Sequence, residues 1–199
     1  SKEAAERIYL HYPNINLITC LRNPIDRTFS NYLFFIRSGI TKLSFRDAIK
    51  KYPSLISRSL YYKHLSVYFD IFDHDQIKIL FFDKLVNNPS KFAEDLFQVL
   101  SLSINNQMDY DKKVLPASEA RNYYLAKVAK YFAKIIRELG YLNFLGKLKN
   151  TSLTGLLYKN YNNKNKPILD NNFKLELIDI FKSDVNNLSV LLKTDLSRW

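Results

Sequence analysis

A run of apolar and β-branched residues, Leu17-Ile18-Thr19-Cys20-Leu21, stops on Arg22 and passes without a linker into Asn23-Pro24-Ile25-Asp26-Arg27-Thr28-Phe29-Ser30. No other stretch restricts the fold as tightly. Its apolar character is too continuous for an exposed edge, so a buried strand is expected from Ile15 to Leu21. Asn23 can cap the helix that follows, Pro24 suits its first turn, and Asp26 complements its dipole. A strand that turns directly into a helix belongs to α/β architecture. At such a junction unpaired backbone N–H groups and the helix dipole converge on anions, and an arginine adds a planar fork matched to phosphate oxygens. A phosphorylated ligand is therefore expected.

The rest of the chain extends this pattern. A short helix over 3–12 should end before Pro13. The helix opened by Asn23 carries Phe29, Leu33 and Ile36 and should stop near Gly39. Ser44 is placed to cap a short helix through Lys51, and a longer one is expected from about Leu55 to Phe72. A second strand reads from Gln76 to Phe82, then a turn at Asp83-Lys84-Leu85, then a helix from Pro89 to about Leu100. Two strands joined by so much helix imply parallel pairing through a crossover. Beyond Ser103 no strand is expected: a basic amphipathic helix spans about Glu119–Leu139, residues 159–166 form a polar loop, and a last helix covers about Asp170–Leu192. Two strands do not complete a parallel sheet, so this reads as the C-terminal, helix-rich part of one larger domain, with strands preceding residue 1 left out.

Composition sets limits. With 199 residues, 47% of them hydrophobic and 15% aromatic, the chain supports one packed domain rather than disorder. No apolar run is long enough to span a bilayer, and the opening residues lack the apolar core of a secretory signal. The lone cysteine, Cys20, is expected to be a buried structural thiol, which fits a reducing, cytoplasmic setting. Of the net charge of +11, nearly all lies between Lys112 and Lys166, where twelve Lys/Arg face only Glu119 and Glu138. That segment reads as a solvated helix face, an anionic-substrate surface or a nucleic-acid surface. His11, His64 and His74 show neither metal spacing nor a partnered nucleophile, and Arg27 is expected to pair with acids and orient the turn.

Arg22-Asn23-Pro24, Asp26-Arg27 and Ser30 resemble the 3′-phosphate-binding motif of sulfotransferases that use 3′-phosphoadenosine 5′-phosphosulfate (PAPS). Leu60-Tyr61-Tyr62-Lys63-His64-Leu65 is similar to the family's Gly-x-Tyr-x-x-x-Leu segment, with Ser59 in the glycine position. Ile79–Leu85 with Asn88-Pro89 is similar to its second strand and the turn after it. Ala117-Ser118-Glu119-Ala120-Arg121-Asn122 is similar to a late Ser-x-x-Pro-Arg segment, with alanine for proline. Asp195-Leu196-Ser197-Arg198-Trp199 is similar to a "D-L-S-x-W" ending.

The resemblance implies a P-loop-NTPase-like three-layer α/β fold and sulfuryl transfer from PAPS to a hydroxyl or amine, the acceptor being a carbohydrate or other small molecule. It implies that Arg22 and Ser30 hold the 3′-phosphate, with Arg121 a further candidate for that phosphate or for the acceptor. The family's glycine-rich phosphosulfate loop and its upstream general base have no counterpart here: the four glycines, Gly39, Gly140, Gly146 and Gly155, form no cluster. The chain is expected to carry half a cofactor site, no catalytic residue and no metal. The alternatives are a non-catalytic remnant that binds anionic glycans through residues 112–166 and, less in keeping with the helical spacing of Tyr123, Tyr124, Tyr131 and Phe132, a nucleic-acid-binding domain.

Overall fold

Runs of β-branched and apolar residues pair Leu17–Leu21 (β1) with Ile77–Phe81 (β2) in the computed structural model, which describes residues 2–103, 109–110, 118–120, 122–141, 158–160 and 167–199. The pair is parallel, in register from Leu17 opposite Ile77 to Leu21 opposite Phe81. The expected crossover is present. β1 starts two residues later than the pattern suggested, because Ile15 continues the turn after Pro13 and its N–H bonds to the Tyr12 carbonyl.

Contacts divide the chain into two compact units. The first comprises residues 1–27, 57–113 and 174–199, and the second residues 28–56 and 114–173. In the first, α1 (Lys2–His11) lies beside the strands, and Ala5, Phe72 and Ile77 form a core flanked by Leu17, Val67 and Ile79. Tyr9 meets Phe72 edge-on at 5.3 Å. In the second, Phe45 stacks against Phe29, Tyr32 and Phe173 with centroids 4.9–5.4 Å apart.

α2 (Pro24–Arg37) and α3 (Phe45–Lys51) form where capping chemistry placed them. The Ser44 side chain accepts from the Asp47 N–H at 3.2 Å, and Gly39 ends the turn after α2 with φ +63. The single helix expected over 55–72 is instead two, α4 (Ser54–Ser57) and α5 (Tyr61–Phe69). The break falls at Ser59, which is fully buried and gives its oxygen to Arg27 rather than to a helical turn.

The residues read as a turn after β2 form α6 (Phe82–Asn87), followed at once by α7 (Pro89–Val99), whose first turn is capped by Asn88 with Pro89 at its start. Lys84 of α6 binds Asp95 of α7 at 3.1 Å, which holds the two short helices together. Two short strands do exist beyond residue 103. β3 (Ser118–Ala120) and β4 (Tyr158–Asn160) pair antiparallel. Three-residue ladders carry too few residues for any periodicity to announce them.

The basic helix, α8 (Tyr123–Glu138), therefore begins after β3, capped by the Asn122 side chain on the N–H groups of Tyr124 and Leu125. The expected polar loop begins as β4, and its remainder, 161–166, lies outside the described residues. α9 (Asn171–Leu192) closes the order.

Candidate functional site

The site is built where β1 ends. Leu21, fully packed, is the last strand residue, and Asn23 closes the turn by accepting from the N–H groups of Ile25 at 3.0 Å and Asp26 at 3.4 Å. This is the local fold that the residue types dictate: an Asx cap, proline where a helix needs no N–H, and an aspartate at the positive pole.

Arg22 is half-buried, and its guanidinium lies 4.7 Å over the Phe82 ring. A guanidinium held against a ring by a cation–π contact keeps its five N–H donors for other partners. Among the described residues no carboxylate comes within ion-pair distance of Arg22. Its backbone N–H donates to the Tyr61 hydroxyl at 3.4 Å. Burial pushes the Tyr61 phenol above its ordinary pKa, while the Arg22 N–H and the Arg27 and Arg22 cations act the other way.

Among the described residues Arg27 pairs with no acid. Its partner among them is the Ser59 hydroxyl, with Nη1 donating to Oγ at 3.0 Å, and its guanidinium lies 5.9 Å from the Tyr61 ring. Ser59, Tyr61 and Phe82 thus fix the two arginines, and sequence reasoning gave none of them a part in the site. Contacts across 32 to 60 residues leave no periodic signal. The similarities of residues 59–65 and of Ile79–Leu85 to family segments were the pointers.

The C-terminal tail packs onto the same strand ends. Trp199 sits 6.1 Å from Tyr61 and 5.9 Å from Phe81. The Asp195 carboxylate accepts from the Ser197 N–H at 2.9 Å, which holds its pKa down and forms the last turn. Beside this tail a cleft of about 470 Å³ is lined by Asn23, Asp26, Phe81, Asp83, Lys84, Arg198 and Trp199, among others. Its two cations, Lys84 and Arg198, are outnumbered by the carboxylates of Asp26, Asp83 and Asp195. Arg22 lies outside its lining.

Ser30 is exposed in the second turn of α2, seven residues after Asn23 and so on nearly the same helical face. Arg121 lies outside the described residues. Cys20 is on the exposed face of β1, not in the core. A two-stranded pair leaves alternate side chains uncovered, and Ile18 shares that face. Partial desolvation, with the Asp83 carboxylate nearby, raises the Cys20 pKa, so the thiolate is disfavoured there. The ring of His64 bonds the Ser57 carbonyl oxygen at 2.8 Å, and His74 packs on Phe69 at 4.7 Å.

Comparison with known proteins agrees with this architecture. The chain's α/β fold is similar to that of a solved sulfotransferase from Alicyclobacillus acidocaldarius, with a TM-score of 0.65 and 22% identity. The match covers 100% of this chain and 62% of that one, so the chain spans less than two thirds of the length of the protein it matches. The family model described as "Sulfotransferase domain" matches residues 7–137, about two thirds of the chain, including β1, the Arg22 junction, Ser59, Tyr61, β2 and nearly all of α8. The chain belongs to the sulfotransferase domain family.

Proposed function

We propose that this chain holds the nucleotide end of PAPS in a protein that transfers the sulfuryl group to a hydroxyl or amine of a carbohydrate or other small acceptor. The observation that carries the reading is Arg22. It stands at the C-terminal end of a parallel strand, where open α/β sheets bind ligands, and its guanidinium lies 4.7 Å from the centre of the Phe82 ring. A phosphate there would meet a planar fork from Arg22 and the positive end of the α2 dipole, whose first N–H groups are already taken by Asn23. Ser30 supplies a hydroxyl from the second turn, and Arg121 is proposed for the same phosphate or for the acceptor.

The cofactor, when bound, would supply the sulfuryl group for transfer to the acceptor, with its nucleotide end held by Arg22 and Ser30. Arg22 offers charge-assisted hydrogen bonds from a side chain that already packs on Phe82. The acceptor's proton and the sulfuryl oxygens call for groups other than Arg22 and Ser30.

Calorimetric titration with adenosine 3′,5′-bisphosphate tests the reading. Arg22→Ala should weaken binding by about ten- to a hundredfold, and Ser30→Ala by about fivefold, from the usual worth of charged and neutral hydrogen bonds. Unchanged affinity in both variants would remove these residues from the site.

A further inference from the structure

α8 turns its apolar side outward. At about 100° per residue, Tyr131, Tyr124, Ile135, Val128, Leu139 at the C-cap, Phe132, Leu125, Ile136 and Ala129 fill one uninterrupted arc of roughly 160°. Tyr131 and Phe132 are 64% and 58% exposed. The docked side is opposite. Ala126 is buried, and the backbone of Tyr123 and Lys127 comes so close to Gly39 that a Cβ there would lie 2.9 Å from the Lys127 nitrogen.

Cations hold the remaining arc. Lys127, Lys130, Lys134 and Arg137 lie on it with one acid, Glu138, which pairs with Lys134 at 3.6 Å. Lys42 reaches the same edge, with its Nζ 4.4 Å from the rings of both Tyr123 and Tyr124. One flank of the arc runs through Ala129 and Ala133 to the docked Ala126; on the other the order is aliphatic and phenyl groups, then Tyr124 and Tyr131, then, past Glu138, the ammonium groups of Lys127 and Lys134. That is the order of depths in a bilayer interface: acyl chains, the carbonyl and headgroup level, then the phosphate plane. A second copy would cover the apolar arc but would bring two sets of like charges to its rim.

We propose that the outward face of α8 docks on the surface of an anionic phospholipid membrane, lying in the interface without spanning it. No helix among the described residues is long and apolar enough to cross a membrane.

Vesicle flotation with the whole chain tests this. It should float with vesicles of mixed phosphatidylglycerol and phosphatidylcholine and stay behind with phosphatidylcholine alone, and salt should weaken the binding. Val128→Glu with Phe132→Glu should abolish flotation. Lys130→Gln with Lys134→Gln should reduce partitioning about fivefold per lysine. Far-UV circular dichroism shows whether each variant keeps its helix. The lysine variant leaves the apolar arc intact and remains informative if the glutamate variant misfolds. No flotation with either vesicle, or equal flotation with both, overturns the proposal. So does a chain that ignores vesicles while the Val128→Glu, Phe132→Glu variant changes from dimer to monomer on sizing.

Discussion

Arg22 and Arg27 stand five residues apart and are held by different means. Arg22 packs on a ring, whereas Arg27 donates to a fully buried hydroxyl. Ser59 is where the family pattern has glycine, and a glycine has no oxygen to offer. Ser59→Gly should therefore leave the Arg27 fork short of an acceptor and cost about 1.5–3 kcal/mol, the range for hydrogen bonds to charged groups, read as a lower urea midpoint. Tyr61 carries a pH signature. Its folded pKa is raised chiefly by burial, so folding favours the neutral phenol. Its contribution is complete below the ordinary value of 10.0 and is lost as pH rises through the higher folded value. Tyr61→Phe removes that titration. Stability measured by denaturation from neutral to alkaline pH should fall less steeply in the variant than in the parent. Of these residues only Arg22 was legible in the sequence, because a strand end, an arginine and a helix cap are contiguous. Ser59 and Tyr61 act through space, and their chemistry shows only once β1 and α5 are side by side.

Elements were legible in proportion to how local their causes are. Ser44 before α3, Asn88-Pro89 before α7 and Gly39 after α2 are signals within a few residues of the boundary they set, and each boundary lies close to where it was expected. The break between α4 and α5 was not legible, since the side chains that fix it are distant. One of them is Asp184 of α9. Its two carboxylate oxygens accept from the N–H groups of Tyr62 at 3.0 Å and Lys63 at 3.1 Å, so α5 is capped by a residue more than 120 positions away. A buried carboxylate on the positive pole of a helix combines hydrogen bonding with the dipole. Asp184→Ala should lower stability by about 2–3 kcal/mol, and Asp184→Asn, which keeps one acceptor, by about half of that. Thermal unfolding followed at the helical circular dichroism band checks the order; equal losses would mean that the single acceptor kept by asparagine contributes nothing. Gly39 sets the approach of α8 in the same long-range manner. Gly39→Ala places a Cβ 2.9 Å from the Lys127 nitrogen and forces φ +63 on an L-residue, so a loss above about 1 kcal/mol is expected, with Gly39→Asn milder in backbone strain though not in the close contact.

At the scale of the molecule, sequence reading gave the α/β class and the parallel crossover, because hydrophobic period and helix length are properties of whole segments. It did not give the two compact units, since their members are interleaved along the chain and no composition shift marks the exchange. It also took Cys20 for a core residue: a β-branched and apolar run reads the same whether one face of the strand is covered or two. The unit that holds Arg22 also holds the chain's one tryptophan, and this makes the proposed nucleotide site measurable from the global fold. A ligand that binds the folded chain alone stabilises it by about 2.7 kcal/mol at a hundred times Kd. For a chain of this size that is a rise in Tm of roughly 5–10 °C. Adenosine 3′,5′-bisphosphate should produce that shift in the parent protein, and Arg22→Ala should erase most of it at the same ligand concentration. Trp199 lies against Tyr61, whose hydroxyl accepts the Arg22 N–H, so its fluorescence should change on binding with the same concentration dependence as the stabilisation. A Tm shift of equal size in Arg22→Ala would place the nucleotide elsewhere on the chain, because stabilisation by mass action is blind to location and only the variant ties it to the end of β1.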